Sequence, residues 1–136
     1  MSYAKPLPTP SHESQPYWDS CRQHALALQK CAGCGAFRFP PGPICPECWG
    51  RSFAWQPVSG RGTVYSFCVY RRLYHPGFAA DMPYVLAVIT LEEGPRLLSN
   101  VIGCAPEAVR CDMPVELVYR DATDAITLPL FRPAVG

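Results

Sequence analysis

Four thiols in this chain are spaced to hold one metal ion. In the block CAGCGAFRFPPGPICPECWG, Cys31, Cys34, Cys45 and Cys48 form the pattern C-x2-C-x10-C-x2-C. Two residues between paired cysteines let a tight turn aim both sulfurs at one ion. The hairpin between the pairs brings the second pair round to complete a tetrahedron with sulfur–metal bonds of about 2.3 Å. Zinc is the preferred occupant because it needs no redox partner, and iron is the alternative that four thiolates also accept. No ligand position is reserved for water or substrate, so the pattern predicts a structural centre rather than a hydrolytic one. Gly33 and Gly35 permit backbone conformations that point amides at the sulfurs, and Lys30 and Arg38 are candidates to offset part of the negative charge.

Outside this block the chemistry is sparse. There is no Walker loop, dinucleotide fingerprint or serine nucleophile elbow. His24 and His75 do not make a catalytic pair merely by titrating near neutrality, and their expected roles are packing or surface ones. Cys21, Cys68, Cys104 and Cys111 have no neighbouring histidine and glycine context that would activate a thiol. Cys68 falls in an apolar alternation and reads as a small packed side chain. No catalytic residue is therefore assigned. The GRG at Gly60 to Gly62 leaves Arg61 either as a solvated turn residue or as a contact to a phosphate or carboxylate. The net charge of +1 hides an asymmetry: through His75 there are eight Lys/Arg against three Asp/Glu, and beyond it four against eight. Arg61, Arg71, Arg72 and Arg96 are placed either to converge on one edge as an anion-attracting patch or to be scattered and solvated. The loop Tyr74 to Pro83 is a candidate partner or ligand loop, or a rigid surface loop.

The elements that must position these residues follow from composition and periodicity. A chain of 136 residues with 49% hydrophobic and 17% charged residues is folded and supports one modest core. Sixteen prolines argue against a helical bundle. Residues 1–15 carry Pro6, Pro8 and Pro10 and read as a flexible arm. Residues 16–52 read as a short helix holding Tyr17, Trp18 and Cys21, with Pro16 in its first turn, followed by a strand and the metal ribbon. Phe37 and Phe39 are expected to pack against the neighbouring domain. Residues 53–133 contain a strand-like FAWQPV and then GRGTVYSFCVYRRLYH, YVLAVITL, RLLSNVIG, PVELVY and AITLPLF, which predict a mainly β domain of five strands closing into a small, partly open barrel. In the first of these, Val64, Ser66, Cys68 and Tyr70 share one alternating face. CAPEAVRC is expected to form a short helix between the third and fourth strands, and residues 134–136 form a tail. The N-terminal stretch has no signal-peptide pattern and no segment reaches the length needed to cross a bilayer, so a cytoplasmic protein with reduced cysteines and no membrane partner is expected.

The order of parts, a YW-containing helix, the four-cysteine ribbon with FPP between its arms, SGRGTVYSF, PYVLAVITLEEG, RLLSNVIG and TLPLFRP, resembles the DUF35-type family. Those small proteins join a rubredoxin-like zinc ribbon to an OB-fold barrel and associate with thiolase-superfamily enzymes of acyl-CoA metabolism. The resemblance spans Tyr17 to Pro133. It implies a noncatalytic accessory subunit that stabilises a thiolase or retro-aldolase partner in a hetero-oligomer and helps form its acyl-CoA channel, with a hydratase or dehydrogenase as a further neighbour. It places Cys31, Cys34, Cys45 and Cys48 at the metal-ligand positions and leaves Arg61 and Arg71 as the candidate contacts to CoA or the partner. Trp49 departs from the glycine often found after the second cysteine pair, which puts the local turn geometry in question. Two alternatives belong to other classes: a standalone acyl-CoA or small-ligand carrier, and a single-stranded nucleic-acid-binding OB protein, which the near-neutral charge disfavours. The acyl group, the choice between thiolysis and retro-aldol chemistry, and the pathway are not encoded in these motifs.

Overall fold

The computed structural model describes residues 3–134; the first two residues of the expected arm and the last two of the expected tail lie outside the described residues. Helix α1 (Gln15–Arg22) starts with Pro16 in its first turn, where the missing N–H has no intrahelical partner to lose. Tyr17 and Cys21 lie one turn apart on its buried face. The helix stops at His24, whose backbone is left-handed (φ 56°).

The ribbon that follows is a three-stranded antiparallel sheet in the order β2-β1-β3, built from β1 (Ala27–Cys31), β2 (Phe37–Arg38) and β3 (Phe53–Pro57). FAWQPV thus belongs to the ribbon sheet, pairing along the whole of β1, and the chain enters the barrel only at Arg61. Leu26 and Leu28 alternate as expected, but Ala27 and Gln29 are buried as well because β1 is the central strand.

The second sheet is a closed five-stranded barrel, β4-β5-β6-β8-β7, made of β4 (Arg61–Tyr70), β5 (Tyr84–Leu91), β6 (Arg96–Val101), β7 (Pro114–Asp121) and β8 (Thr127–Pro133). The expected barrel was partly open. Closure is completed by the parallel contact of β6 with β8, a single register pair Val101↔Phe131 reinforced by Ile102 N–H donating to the Phe131 carbonyl at 2.8 Å. CAPEAVRC contributes only a single 3-10 turn, Pro106–Ala108, between β6 and β7.

One irregularity changes which residues face inward. On β4 the register steps from Val64↔Ile89 to Ser66↔Val88, leaving Tyr65 as an extra residue. Such a bulge inverts the alternation beyond it. Val64 points into the barrel, but past the bulge Phe67 and Val69 pack on the core and Cys68 is exposed. The expectation of a packed Cys68 fails for this reason.

Ribbon and barrel share one core. Tyr17, Cys21, Leu26 and Leu28 cluster with Val64, Ile89, Leu91, Val115 and fully buried Phe131. Burial pushes the Cys21 thiol up to about 12, which makes it a packing group rather than a nucleophile. The junction is closed by polar contacts. Tyr119 Oη accepts the Leu26 N–H at 2.8 Å, and His24 stacks on the Tyr119 ring with centroids 4.6 Å apart.

Candidate metal centre and the surfaces around it

The strands β1 and β2 and the two cysteine turns bring the four predicted ligands together. All four Sγ atoms lie within 4.8 Å of one another. Cys31 and Cys48 sulfurs are 3.5 Å apart and those of Cys34 and Cys45 are 3.6 Å apart. A tetrahedral ion with 2.3 Å bonds sets its ligand sulfurs about 3.8 Å apart, so the thiols fit a four-coordinate metal. Each knuckle turns amides onto sulfur: Cys34 N–H points at Cys31 Sγ (3.5 Å) and Gly50 N–H at Cys48 Sγ (3.4 Å). The Cys34 amide, the Cys48 thiol and the Gly33 amide together pull the Cys31 thiol down to about 6. A site closed by four thiolates holds an ion without presenting it to substrate.

The two expected basic neighbours do not face the sulfurs. Arg38 is 7% exposed; its Nε donates to Gln29 Oε1 and its Nη2 to the Gly42 carbonyl, both at 2.8 Å, and its guanidinium lies over the Phe53 ring. It holds the long arm of the hairpin in place. Lys30 Nζ sits over the Phe37 ring. Phe37 and Phe39 pack against the shared core, as the sequence suggested, and Phe39 meets Tyr17 at 5.1 Å. Trp49 has a left-handed backbone (φ 65°), and the residue is 81% exposed. Its N–H still closes the second knuckle by donating to the Cys45 carbonyl at 2.8 Å.

The arginines do not form one patch. Arg61 and Arg71 lie at opposite ends of β4, whose ten residues extend roughly 30 Å. Arg61 Nε donates to Glu92 at 2.8 Å, and this bond keeps the Glu92 carboxyl below the ordinary range. Arg96 lies over the Tyr65 ring, 3.8 Å from its centroid. Arg71 reaches Glu107 at 3.8 Å, while Arg72 lies over Tyr74. The glycines around Arg61 are required by crowding within the barrel. Gly60 takes a left-handed turn (φ 81°) against Leu117, and Gly62 lies so close to β5 that a Cβ would stand 2.6 Å from the Thr90 carbonyl oxygen.

At the Arg71 end, the loop from Tyr74 to Pro83 carries a 3-10 helix, Pro76–Asp81, and joins the neighbouring strand ends in a series of four rings: Phe78 stacks on Tyr84, Tyr84 on Tyr70, and Tyr70 meets Tyr74 edge-on. Lys5 of the N-terminal segment pairs with Asp81 and lies over Phe78. Beneath them a cavity of about 240 Å³ opens between Tyr84, Asn100, Cys104 and Arg120. Sequence reasoning singled out the loop but not the ring series, because its members come from two strands and a loop. The histidines are occupied elsewhere: His24 Nε2 lies 3.0 Å from Asp121, and His75 Nδ1 accepts the Gly77 N–H. Among the described residues no histidine–nucleophile pair forms.

Comparison with known proteins matches both halves of this architecture. Residues 18–54 match the family described as "ChsH2, rubredoxin-like zinc ribbon domain", and residues 55–120 match "ChsH2, C-terminal OB-fold domain". The chain is 42% identical over 133 residues to the "Probable enoyl-CoA hydratase alpha subunit" of Thermomonospora curvata, covering 96% of this chain and 40% of that one. It is 37% identical over 106 residues to the "Benzoylsuccinyl-CoA thiolase subunit BbsA" of Thauera aromatica, covering 76% of this chain and 71% of that one. Among solved structures, a chain of the "Ltp2-ChsH2(DUF35) aldolase" superposes with a TM-score of 0.87 at 40% identity, over 95% of this chain and 100% of that one. The chain thus spans about two fifths of the hydratase alpha subunit but the whole of the aldolase's matching chain.

Proposed function

Because this chain belongs to the DUF35 family of ribbon-plus-barrel proteins, we propose that it is a noncatalytic accessory subunit of a thiolase-superfamily enzyme acting on acyl-CoA esters, with zinc as the structural ion of its four-cysteine ribbon. The observation that carries this reading is the end-to-end match to a chain of an aldolase whose name joins Ltp2 to a DUF35 component. The thiolase subunit BbsA, matched over most of its length, points the same way. The relationship to a hydratase alpha subunit adds a hydratase as the class of neighbouring enzyme.

The geometry is consistent with a supporting role. The thiols are either gathered for metal or without a histidine partner, so chemistry is assigned to the other subunit. The cavity of about 240 Å³ at the barrel mouth is smaller than the roughly 300–1,000 Å³ typical of complete small-molecule sites. In this reading the partner supplies further walls for a CoA ester at this mouth. Of the two candidate contact residues, Arg71 is the better placed, at the barrel end that carries this cavity and with only a 3.8 Å pairing to Glu107. Arg61 is held by Glu92 at the far end.

The test is reconstitution. The purified zinc-loaded chain, a thiolase-superfamily subunit, and the two mixed are assayed for CoA-ester cleavage. The chain alone is expected to be inactive, and the mixture to form a hetero-oligomer that turns over faster than the partner alone. Turnover by the isolated chain, or no association, refutes the reading.

A further inference from the structure

Trp49 is placed where the fold itself gains nothing from it. Left-handed backbone crowds the Cβ of an L-residue, and glycine is its ordinary occupant. Here the position carries a tryptophan at φ 65°, and the glycine beside it, Gly50, is used instead to bring an amide onto Cys48 Sγ. The residue is 81% exposed and its side chain is not part of the shared core. On the same loop, Ile44 is a second large apolar side chain left exposed. Non-glycine residues in this backbone region, such as His24 and Asp112 elsewhere in the chain, are held there by their surroundings, and they cluster at ligand clamps and switch regions. The knuckle that carries the ring is fixed by the Trp49 N–H bond to Cys45 and by the sulfur cluster, so little freedom is lost when the ring is buried.

We propose that Trp49, with Ile44 on the same loop, is the anchor by which the ribbon docks into an apolar pocket on the catalytic acyl-CoA enzyme subunit; this rests on the accessory-subunit reading above. Buried tryptophans are over-represented among the residues that dominate interface energies. A second copy of this chain is a poor occupant, because insertion of the ring into a groove elsewhere on another copy is a head-to-tail contact that does not close on itself. A tryptophan buries at most about 250 Å², and even with Ile44 this falls well short of the roughly 800 Å² per partner of a stable interface, so other surfaces of this chain also touch the enzyme subunit that holds the pocket.

The experiment compares the zinc-loaded chain with Trp49→Gly and Trp49→Phe, measuring zinc content, melting temperature alone, and affinity for the thiolase-superfamily subunit by calorimetry. Trp49→Gly is expected to keep its zinc, to melt at or above the parent temperature, and to bind at least about 30-fold more weakly (about 2 kcal/mol, at 1.4 kcal/mol per decade). Trp49→Phe falls between. Parent-like binding by Trp49→Gly, with the complex otherwise intact, overturns this inference alone. Loss of zinc or of thermal stability in that variant overturns it in favour of a structural role. Self-association of the parent chain that Trp49→Gly abolishes overturns it in favour of a second copy. Failure of the parent chain to bind any such subunit overturns the accessory reading, and this inference with it.

Discussion

Replacing Gly62 with alanine puts a methyl group where the barrel has no room. The new Cβ would stand 2.6 Å from the Thr90 carbonyl oxygen and 3.0 Å from Ile89 Cγ2, whereas ordinary contact begins at 3.4 Å. The difference requires β4 and β5 to part locally by about 0.8 Å. The obstacle is backbone, so no side-chain rotation relieves it. Thr90 is paired with Thr63 on one side and Arg96 on the other, so the displacement disturbs two ladders. Overpacking of this kind costs about 1–3 kcal/mol, and weakening one ladder hydrogen bond adds about 1 kcal/mol. The loss of unfolded-state freedom on going from glycine to alanine returns about 0.4–1 kcal/mol. The net is roughly 1–3.6 kcal/mol, which at about 3–5 °C per kcal/mol for a chain of this length lowers the melting temperature by roughly 3–18 °C. Gly42→Ala is the control, because nothing lies within 4 Å of its added methyl group. Thermal melts of both variants, followed by circular dichroism, decide the matter. A Gly62→Ala melt within about 2 °C of the Gly42→Ala melt refutes the steric account of the GRG motif.

Two further outcomes are expected. Elemental analysis should find about one zinc per chain, and Cys45→Ser, which removes a buried ligand, should lose the metal and melt earlier; a folded, metal-free parent chain with an unchanged melt would contradict this. Asp121 is held below the ordinary carboxylate range, first by the Thr127 hydroxyl and then by His24. A depressed folded value gives stability that is fully present above the unfolded value, about pH 4, and is lost as pH falls through the folded one. The melting difference between the parent and Asp121→Asn should therefore shrink as the pH falls from about 5 toward 3, and a difference that grows toward about pH 3 would reverse the sign of this argument.

The four-thiol cluster was legible because ligand spacing is a local property: the turn that aims Cys31 and Cys34 at one point is written in four consecutive residues. The five barrel strands were legible from alternation and turn residues. What escaped depends on pairing between distant strands. The bulge at Tyr65 is defined only against β5, so the inversion that exposes Cys68 could not be read from β4 by itself. The GRG motif was weak evidence in sequence, and the crowding by Thr90 and Leu117 that calls for glycine there depends on strands distant in the chain. Arg38, read as a countercharge for thiolates, turned inward because Gln29 and the Gly42 carbonyl, from separate parts of the ribbon, offered better acceptors. The arginine patch failed on distance alone, since one long strand carries two of its members to opposite ends.

The common core of ribbon and barrel has a further consequence for assembly. With Leu26 and Leu28 packed among barrel residues, and Tyr119 tied to the Leu26 amide, no hinge separates the ribbon tip from the barrel mouth. The two ends behave as the jaws of a fixed caliper. A protein that meets one jaw finds the other already at its set distance, so the second contact forms as an intramolecular event at high effective concentration. A surface whose contact points are spaced differently cannot meet both ends at once.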